Sequence, residues 1–268
     1  MTGILLLVMM LWSTHVLAAP AVIGTPVFDD SGASAAGSLT ISATCPSGNT
    51  NVIAVACVST RKAGTTAVDM GTVSWNGSAM TPVGAAELDT ADNGTWTRMY
   101  VHTSPTCDNA AHNYVIDTAT GTNFLVGGIV FLEDANTASP HDVQATAQGT
   151  TGAPTVNVSS AVGDLVIDCV TARNSNVDIA VGAGQTIAAA VAQTTNATAA
   201  NNVEGASSRE AGAASVTMSW TVGATPPSWT IVGASFNPVA TATKRSGPRY
   251  YMRVFEWISP SAWASIKE

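Results

Sequence analysis

Short runs of β-forming residues fill this chain from Leu39 to Pro238. Each run is rich in Val, Ile, Thr, Ser and Ala, and the runs are separated by Gly, Asn or Pro. β-Branched residues suit a pleated strand, whereas Gly and Asn supply the positive φ angles that tight turns need. The pattern therefore predicts an all-β fold, a two-sheet antiparallel β-sandwich of jelly-roll or concanavalin-like type.

Composition favours a packed core over disorder. The 268 residues are 46% hydrophobic and only 10% charged, whereas disordered chains combine low hydrophobicity with high charge. One large sandwich or two small ones fit within this length. No repeat of fixed period is visible between the two halves.

Three segments give the clearest local signals. Asn76 and Gly77 stand between two β runs, a pairing that predicts a two-residue hairpin turn. The segments Asn123–Glu133 and Ser228–Asn237 are apolar on both faces, which is typical of central strands.

The N-terminus predicts export. Ile4–Trp12 is an apolar run too short to span a bilayer, and the small residues Ala18 and Ala19 follow it. We interpret residues 1–19 as a secretory signal peptide, although no Lys or Arg precedes the apolar run. A membrane anchor and a misassigned start are the alternatives. The remaining chain divides into a β-sandwich domain (20–238) and a C-terminal extension (239–268), without a further span, so we expect an extracellular, cell-surface or virion location.

Four cysteines allow three full pairings in an exported chain. If the strands alternate in direction from Ser38 onward, Cys45 and Cys107 fall at the same end of the sandwich, so we predict a disulfide between them. Cys57 and Cys169 lie inside apolar runs. For these two, a second disulfide and two buried thiols both remain open.

Four segments carry a family resemblance: Val73–Val83, Gly163–Asp168, Gly212–Trp220 and Trp229–Pro238. Together they resemble a jelly-roll or lectin-like β-sandwich module found in uncharacterised secreted bacterial proteins and phage structural proteins. The resemblance covers roughly residues 36–238. It implies a sandwich fold and brings no catalytic residues with it.

An aromatic side chain beside a turn is the best candidate for ligand binding. Trp96 lies close to Asn93 and Arg98, and an aromatic ring suits the apolar face of a sugar. Trp220 and Trp229 fall within strand-like runs, for which core packing is the expected role. We therefore take Trp96, Arg98 and Asn93 as the predicted binding residues.

An acidic segment next to these residues is the candidate metal site. Its carboxylates, Glu87, Asp89 and Asp92, offer the oxygen ligands that Ca²⁺ prefers. Their spacing does not follow an EF-hand, and an acidic turn between strands is the alternative. Among the glutamates, Glu133 and Glu204 are further candidates for a glycosidase carboxylate pair, but nothing in the sequence links any two of them.

The C-terminal extension differs from the body in charge. Residues 244–268 hold five basic and two acidic residues, a net charge of +3, while residues 1–243 carry −11. A short helix is expected after Ser259. Aromatic and arginine side chains dominate many interfaces, so we predict an assembly role for Arg249, Tyr250, Tyr251, Arg253, Phe255, Trp257 and Trp263. Folding back onto the same sandwich is the alternative.

These features favour a non-enzymatic structural or adhesive module of a virion or cell surface. A carbohydrate-binding, lectin-like domain and a secreted glycan hydrolase are the alternatives. The expected partners are other structural subunits or a surface glycan, with a homo-oligomer as an open alternative. We expect no nucleic-acid partner and no cofactor other than the candidate Ca²⁺.

Overall fold

The computed structural model describes residues 18–32, 36–61, 70–85, 87–88, 95–119, 124–173, 179–193, 202–222 and 228–239. Within these ranges every helix or strand is a β-strand, and all the pairings are antiparallel. No helix in this part of the chain is long and apolar enough to cross a membrane. Residues 1–17 of the predicted signal peptide (1–19) lie outside the described residues. Residues 240–268 of the extension, with all seven predicted assembly residues, lie outside them too.

The described residues form eighteen strands, of which ten lie in the first half of the chain. They are β1 (Ala21–Asp30), β2 (Ser38–Thr44), β3 (Ile53–Arg61), β4 (Met70–Trp75), β5 (Ser78–Ala79), β6 (Thr81–Pro82), β7 (Glu87–Leu88), β8 (Thr95–His102), β9 (Ala111–Thr118) and β10 (Phe124–Glu133).

The second half contains eight strands. They are β11 (Ala145–Gly149), β12 (Thr155–Ser159), β13 (Leu165–Arg173), β14 (Ile179–Val181), β15 (Thr186–Gln193), β16 (Val203–Ala211), β17 (Ser215–Val222) and β18 (Ser228–Phe236).

The first ten strands form a jelly roll. One sheet has the order β1-β10-β3-β8-β6, with β7 also paired to β8, and the other has the order β2-β9-β4-β5. With the two-residue strands β6 and β7 set aside, the remaining eight change sheet at every connection except the β4–β5 hairpin, which is the order of a jelly roll. The predicted Asn76–Gly77 turn is confirmed, since both residues have positive φ, 47° and 76°.

The second eight strands repeat this arrangement. Their sheets have the orders β11-β18-β13-β16-β15 and β12-β17-β14. In the first sheet β11, β18, β13 and β16 stand where β1, β10, β3 and β8 stand in the N-terminal jelly roll, and in the second β12, β17 and β14 stand where β2, β9 and β4 do. The pairing register is also the same. Arg61 lies opposite the first residues of β8 and β10, and Arg173 lies opposite the first residues of β16 and β18. The chain is therefore a structural duplication, with an N-terminal and a C-terminal jelly roll.

The two jelly rolls pack face to face in four layers. Each has its own apolar core between its two sheets, and a third apolar cluster lies between the inner sheets, β1-β10-β3-β8 and β11-β18-β13-β16. We call this third cluster the seam. Its fully buried members include Ile53, Val55, Ile167 and Val232. The all-β sandwich is thus confirmed, and the structure distributes it over four sheets rather than two.

Two disulfides hold this arrangement together. The predicted bond between Cys45 and Cys107 is present at one end of the N-terminal jelly roll. Cys57 and Cys169 form the second, and they join β3 to β13 across the seam. The alternative of two buried thiols is therefore excluded in this structure. Two disulfides fit an extracellular protein.

Candidate functional site

The predicted binding residues separate in the structure. Trp96 is only 3% exposed and packs in the core of the N-terminal jelly roll, so its ring offers no surface on which a sugar could stack. It is buried because its side chain lies on the face of β8 that packs against the other sheet of the same jelly roll. Asn93 lies outside the described residues. Arg98 is partly exposed and remains available for binding.

Arg98 lines a small pocket at the edge of the N-terminal jelly roll. Its Nε and Nη2 atoms donate to the carbonyl oxygen of Gly84 at 3.3 and 3.0 Å, and its guanidinium carbon lies 5.6 Å from the centre of the Tyr100 ring. Burial raises the pKa of Tyr100, and the nearby positive charge of Arg98 offsets only part of that rise. Met70 and Met80 complete the wall of this 240 Å³ pocket. A cation beside an aromatic ring and apolar walls suits a small polar ligand with an apolar face.

A second, more polar groove lies where the Cys45–Cys107 disulfide joins two loops. The loops are the connections 45–52 and 103–110, and the groove has a volume of 440 Å³. Its polar lining comes from Asn49, Asn51, Thr103, Ser104 and Thr137. We call it the loop groove.

The loop groove is held by hydrogen bonds as well as by the disulfide. Ser47 N donates to Asn109 Oδ1 at 2.9 Å, and Asn109 Nδ2 donates to Ser47 Oγ at 2.6 Å. Asn51 and Asn109 both have positive φ, which fixes the chain direction at each side. A rigid groove lined with amides and hydroxyls can bind a partner through hydrogen bonds with little loss of entropy.

A third groove opens where the two jelly rolls meet. It has a volume of 720 Å³ and is lined by Val83, Gly84, His141, Asp142, Val143, Gln144 and Ser159. Gln144 Nε2 donates to the carbonyl oxygen of Ala85 at 2.6 Å, which ties the connection between the jelly rolls to the first of them. Val143 is 88% exposed, an unusual position for an aliphatic side chain.

The candidate calcium residues are not brought together by the described structure. Glu87 lies in β7, where its backbone pairs with Thr97, but its side chain is outside the described residues, as are Asp89 and Asp92. Among the described side chains, no group of three His, Cys, Asp or Glu residues is arranged to hold a metal ion. The calcium site stays a prediction.

The sequence reasoning missed a buried polar cluster in the C-terminal jelly roll. Asp168, on β13, is fully buried and accepts three hydrogen bonds: from Ser208 N at 2.7 Å, Ser208 Oγ at 2.9 Å and Trp220 Nε1 at 2.7 Å. Burial raises the pKa of the Asp168 carboxyl to about 7, and the hydrogen bonds from Trp220 and Ser208 oppose that rise.

The cluster extends from Ser208 to an amide. Gln185 Nε2 donates to Ser208 Oγ at 2.6 Å. Gln185 Oε1 accepts from Ser219 N at 2.8 Å and from Ser219 Oγ at 3.3 Å. Since a backbone N–H can only donate, the bond from Ser219 fixes which end of the amide is oxygen. The available signal was Asp168 itself, a charged residue inside the apolar run Leu165–Val170.

A second polar set crosses the seam. The hydroxyl groups of Ser59, Thr97, Thr171 and Thr230 are fully buried and bond to one another. Thr171 Oγ1 donates to Ser59 Oγ at 2.6 Å, Thr97 Oγ1 lies 2.6 Å from Thr230 Oγ1, and Thr97 also donates to Thr171. These bonds satisfy hydroxyls that would otherwise be buried at a cost.

Comparisons with protein-family models, curated proteins and solved structures find no match. The candidate sites therefore rest on the geometry of this chain.

Proposed function

We propose that this protein is a non-enzymatic structural or adhesive module of a virion or cell surface, with loops that bind a partner. The observation that carries the proposal is the joining of two jelly rolls into one four-layered body. A shared apolar seam and the Cys57–Cys169 disulfide prevent the jelly rolls from moving apart. Paired jelly rolls of this kind suit a load-bearing or surface-displayed role, since viral capsid and lectin domains use the same architecture.

The outer sheets add support because they are polar and uncharged along much of their length. Ser38, Thr40, Ser42 and Thr44 face outward from β2, and Thr155, Asn157 and Ser159 face outward from β12. Such surfaces form many weak hydrogen bonds and produce little electrostatic steering. This behaviour is expected of a protein whose contacts are repeated many times in an assembly.

The loop groove is the proposed contact surface. Its amide and hydroxyl lining faces solvent at one end of the N-terminal jelly roll, and its shape is fixed by a covalent bond. The C-terminal extension is the proposed second contact, because its charge of +3 is opposite in sign to the −11 of the preceding chain.

Assembly is the test of this function. We expect sedimentation velocity and electron microscopy to show concentration-dependent oligomers or filaments of the mature chain. Deletion of residues 244–268 should abolish them while the circular dichroism spectrum of the β fold is retained. Thr103→Lys should weaken them, and Thr150→Lys, in an exposed loop of the other jelly roll, is the matched control. A chain that stays monomeric at every concentration and does not adhere to cell envelopes would refute the proposal.

The Arg98 pocket favours carbohydrate binding as the second candidate function. If that function is correct, the wild-type protein binds a subset of sugars on a glycan array, and Arg98→Ala removes this binding. Arg209→Ala, which alters a partly exposed arginine of the other jelly roll, should leave it unchanged. Depolymerisation of a soluble polysaccharide would instead support the glycan hydrolase alternative.

A further inference from the structure

The polar cluster around Ser208 contains every group that an acyl transfer needs. It has a hydroxyl nucleophile, a carboxyl base, an amide as the acyl group, and two donors directed at the amide oxygen. We propose that Ser208 attacks Gln185 to form an ester bond between the two side chains, with release of ammonia. The inference stands independently of the proposed function.

The nucleophile and its base are already in contact. Ser208 Oγ donates to Asp168 Oδ1 at 2.9 Å, so its proton can pass directly to the carboxylate when the oxygen attacks. A buried carboxylate is a stronger base than an exposed one because water does not stabilise its charge. Trp220 Nε1, at 2.7 Å from the other carboxyl oxygen, acts as a positioning residue.

The acyl group lies beside the nucleophile. Ser208 Oγ lies 2.6 Å from Gln185 Nε2, and the amide carbon is one covalent bond away from that nitrogen. The amide oxygen accepts from the backbone N–H and the hydroxyl of Ser219. These two donors form an oxyanion hole, because they can stabilise the negative charge that develops on Oε1 in the tetrahedral intermediate.

The reaction balances without any further reagent. Ser208 Oγ forms a bond to Gln185 Cδ, its proton moves to Asp168, and the carbonyl electron pair moves onto Oε1. When the intermediate collapses, the Cδ–Nε2 bond breaks and Asp168 returns the proton to the departing nitrogen. Ammonia leaves, and an ester remains. Each chain reacts once, so this is self-modification rather than turnover.

The surroundings favour the product. Asp168 and Ser208 are fully buried, so little water reaches the nucleophile and its base. Released ammonia is lost to solvent, which makes the step effectively irreversible. The ester would join the start of β15 to its neighbour β16, where Ile187 already pairs with Ser208.

The fold itself does not require this cluster. The N-terminal jelly roll has Ala56 and Tyr100 at the strand positions that match Asp168 and Ser208, and the two pairs share the same register. Ile116 occupies the position that matches Trp220, since β9 and β17 lie at equal distances in sequence before β10 and β18. The N-terminal core packs there with no carboxylate.

Mass spectrometry of the mature protein tests the proposal directly. We expect the intact mass to be lower than that of the chain with two disulfides by the mass of one ammonia. Trypsin cuts after Arg173 and Arg209, and a glutamate-specific protease cuts after Glu204. After both digestions, an unmodified chain gives two separate peptides, whereas the ester keeps the fragment 205–209 joined to the fragment that contains Gln185.

Variants identify the atoms involved. Ser208→Ala should restore the unmodified mass and separate the two peptides, and Asp168→Asn should prevent or greatly slow the reaction. Ser207→Ala is the matched control, because Ser207 is equally buried on the same strand and should leave the ester in place. Hydroxylamine should separate the joined peptides by cleaving the ester.

Two results would overturn the proposal. One is an intact mass with no ammonia lost, together with separate peptides from the wild-type chain. The other is an ammonia loss that maps to a different peptide, such as a succinimide at Asn76. Both are read from the wild-type protein, so neither depends on whether a variant folds.

Discussion

The buried carboxyl of Asp168 should make the stability of this protein depend on pH. Its pKa is raised from 3.8 to about 7, so the folded state binds this proton more tightly than the unfolded state does. The stabilising contribution is therefore complete below the unfolded pKa and is lost as the pH rises through the folded pKa. A difference of about 3 pKa units corresponds to about 4 kcal/mol in the free energy of unfolding.

Asp168→Asn removes this titration, since an amide does not ionise in this pH range. We expect the wild type to lose about 4 kcal/mol more stability than the variant between about pH 3 and about pH 8. Urea unfolding followed by tryptophan fluorescence at several pH values measures this difference. We compare the pH dependence of stability rather than its absolute value. The asparagine amide also changes the hydrogen bond from Trp220, and this alters stability independently of the titration. Parallel pH profiles for the two proteins would show that the pKa of Asp168 does not change on folding, and would refute the reasoning.

Three further changes test the packing. Replacing Cys57 and Cys169 together by Ala should lower the free energy of unfolding, measured by chemical denaturation, by about 4–5 kcal/mol, because the disulfide closes a long loop in the unfolded chain. A loss below about 1 kcal/mol would mean that residual structure already restricts the unfolded chain without the disulfide. Trp96→Ala should cost about 3–5 kcal/mol in thermal or urea unfolding, whereas Arg98→Ala should cost under about 1 kcal/mol, and equal losses would contradict the core position of Trp96. Gly205→Ala places a Cβ 2.8 Å from a side chain of the opposite jelly roll, so we expect a loss of about 1–3 kcal/mol, and an unchanged melting temperature would show that the seam can open at that point.

The fold class could be predicted because strand periodicity and turn residues are local signals. The Asn76–Gly77 hairpin and the Cys45–Cys107 pair both followed from such signals and from strand alternation. The duplication could not be predicted in this way. Arg61 and Arg173 are 112 residues apart, but β8 and β16 begin 108 residues apart and β10 and β18 only 104 residues apart. The first half is therefore four residues longer between β3 and β8, and four residues longer again between β8 and β9, than the matching parts of the second half. A repeat whose spacing changes along the chain has no fixed period to detect.

Trp96 shows why the binding residues were harder to predict. Its strand has a turn-rich, polar segment before it, which suggested a position near the surface. In the structure its side chain lies on the face of β8 that packs in the N-terminal core. The seam covers the other face of the same strand. Alternation of polar and apolar residues normally marks one buried and one solvated face. In the inner sheets both faces are buried, so Ser59, Thr97 and Thr171 are as inaccessible as the aliphatic residues beside them.

The duplication also explains which residues meet in the seam. The two inner sheets oppose each other so that Cys57 meets Cys169 and Ser59 meets Thr171, each pair 112 residues apart. An approximately two-fold arrangement brings matching positions together, as in a symmetric dimer. Similar residues therefore face each other across the seam. This is favourable for cysteines, which form a disulfide, and for hydroxyl groups, which form hydrogen bonds with each other. The same arrangement is less favourable for charged residues. Arg61 lies at the position that matches Arg173, and burial and the charge of Arg173 both lower the pKa of Arg61. The Cys57–Cys169 disulfide joins the same two strands four residues before this arginine pair, so matching positions of β3 and β13 meet at both points along the seam.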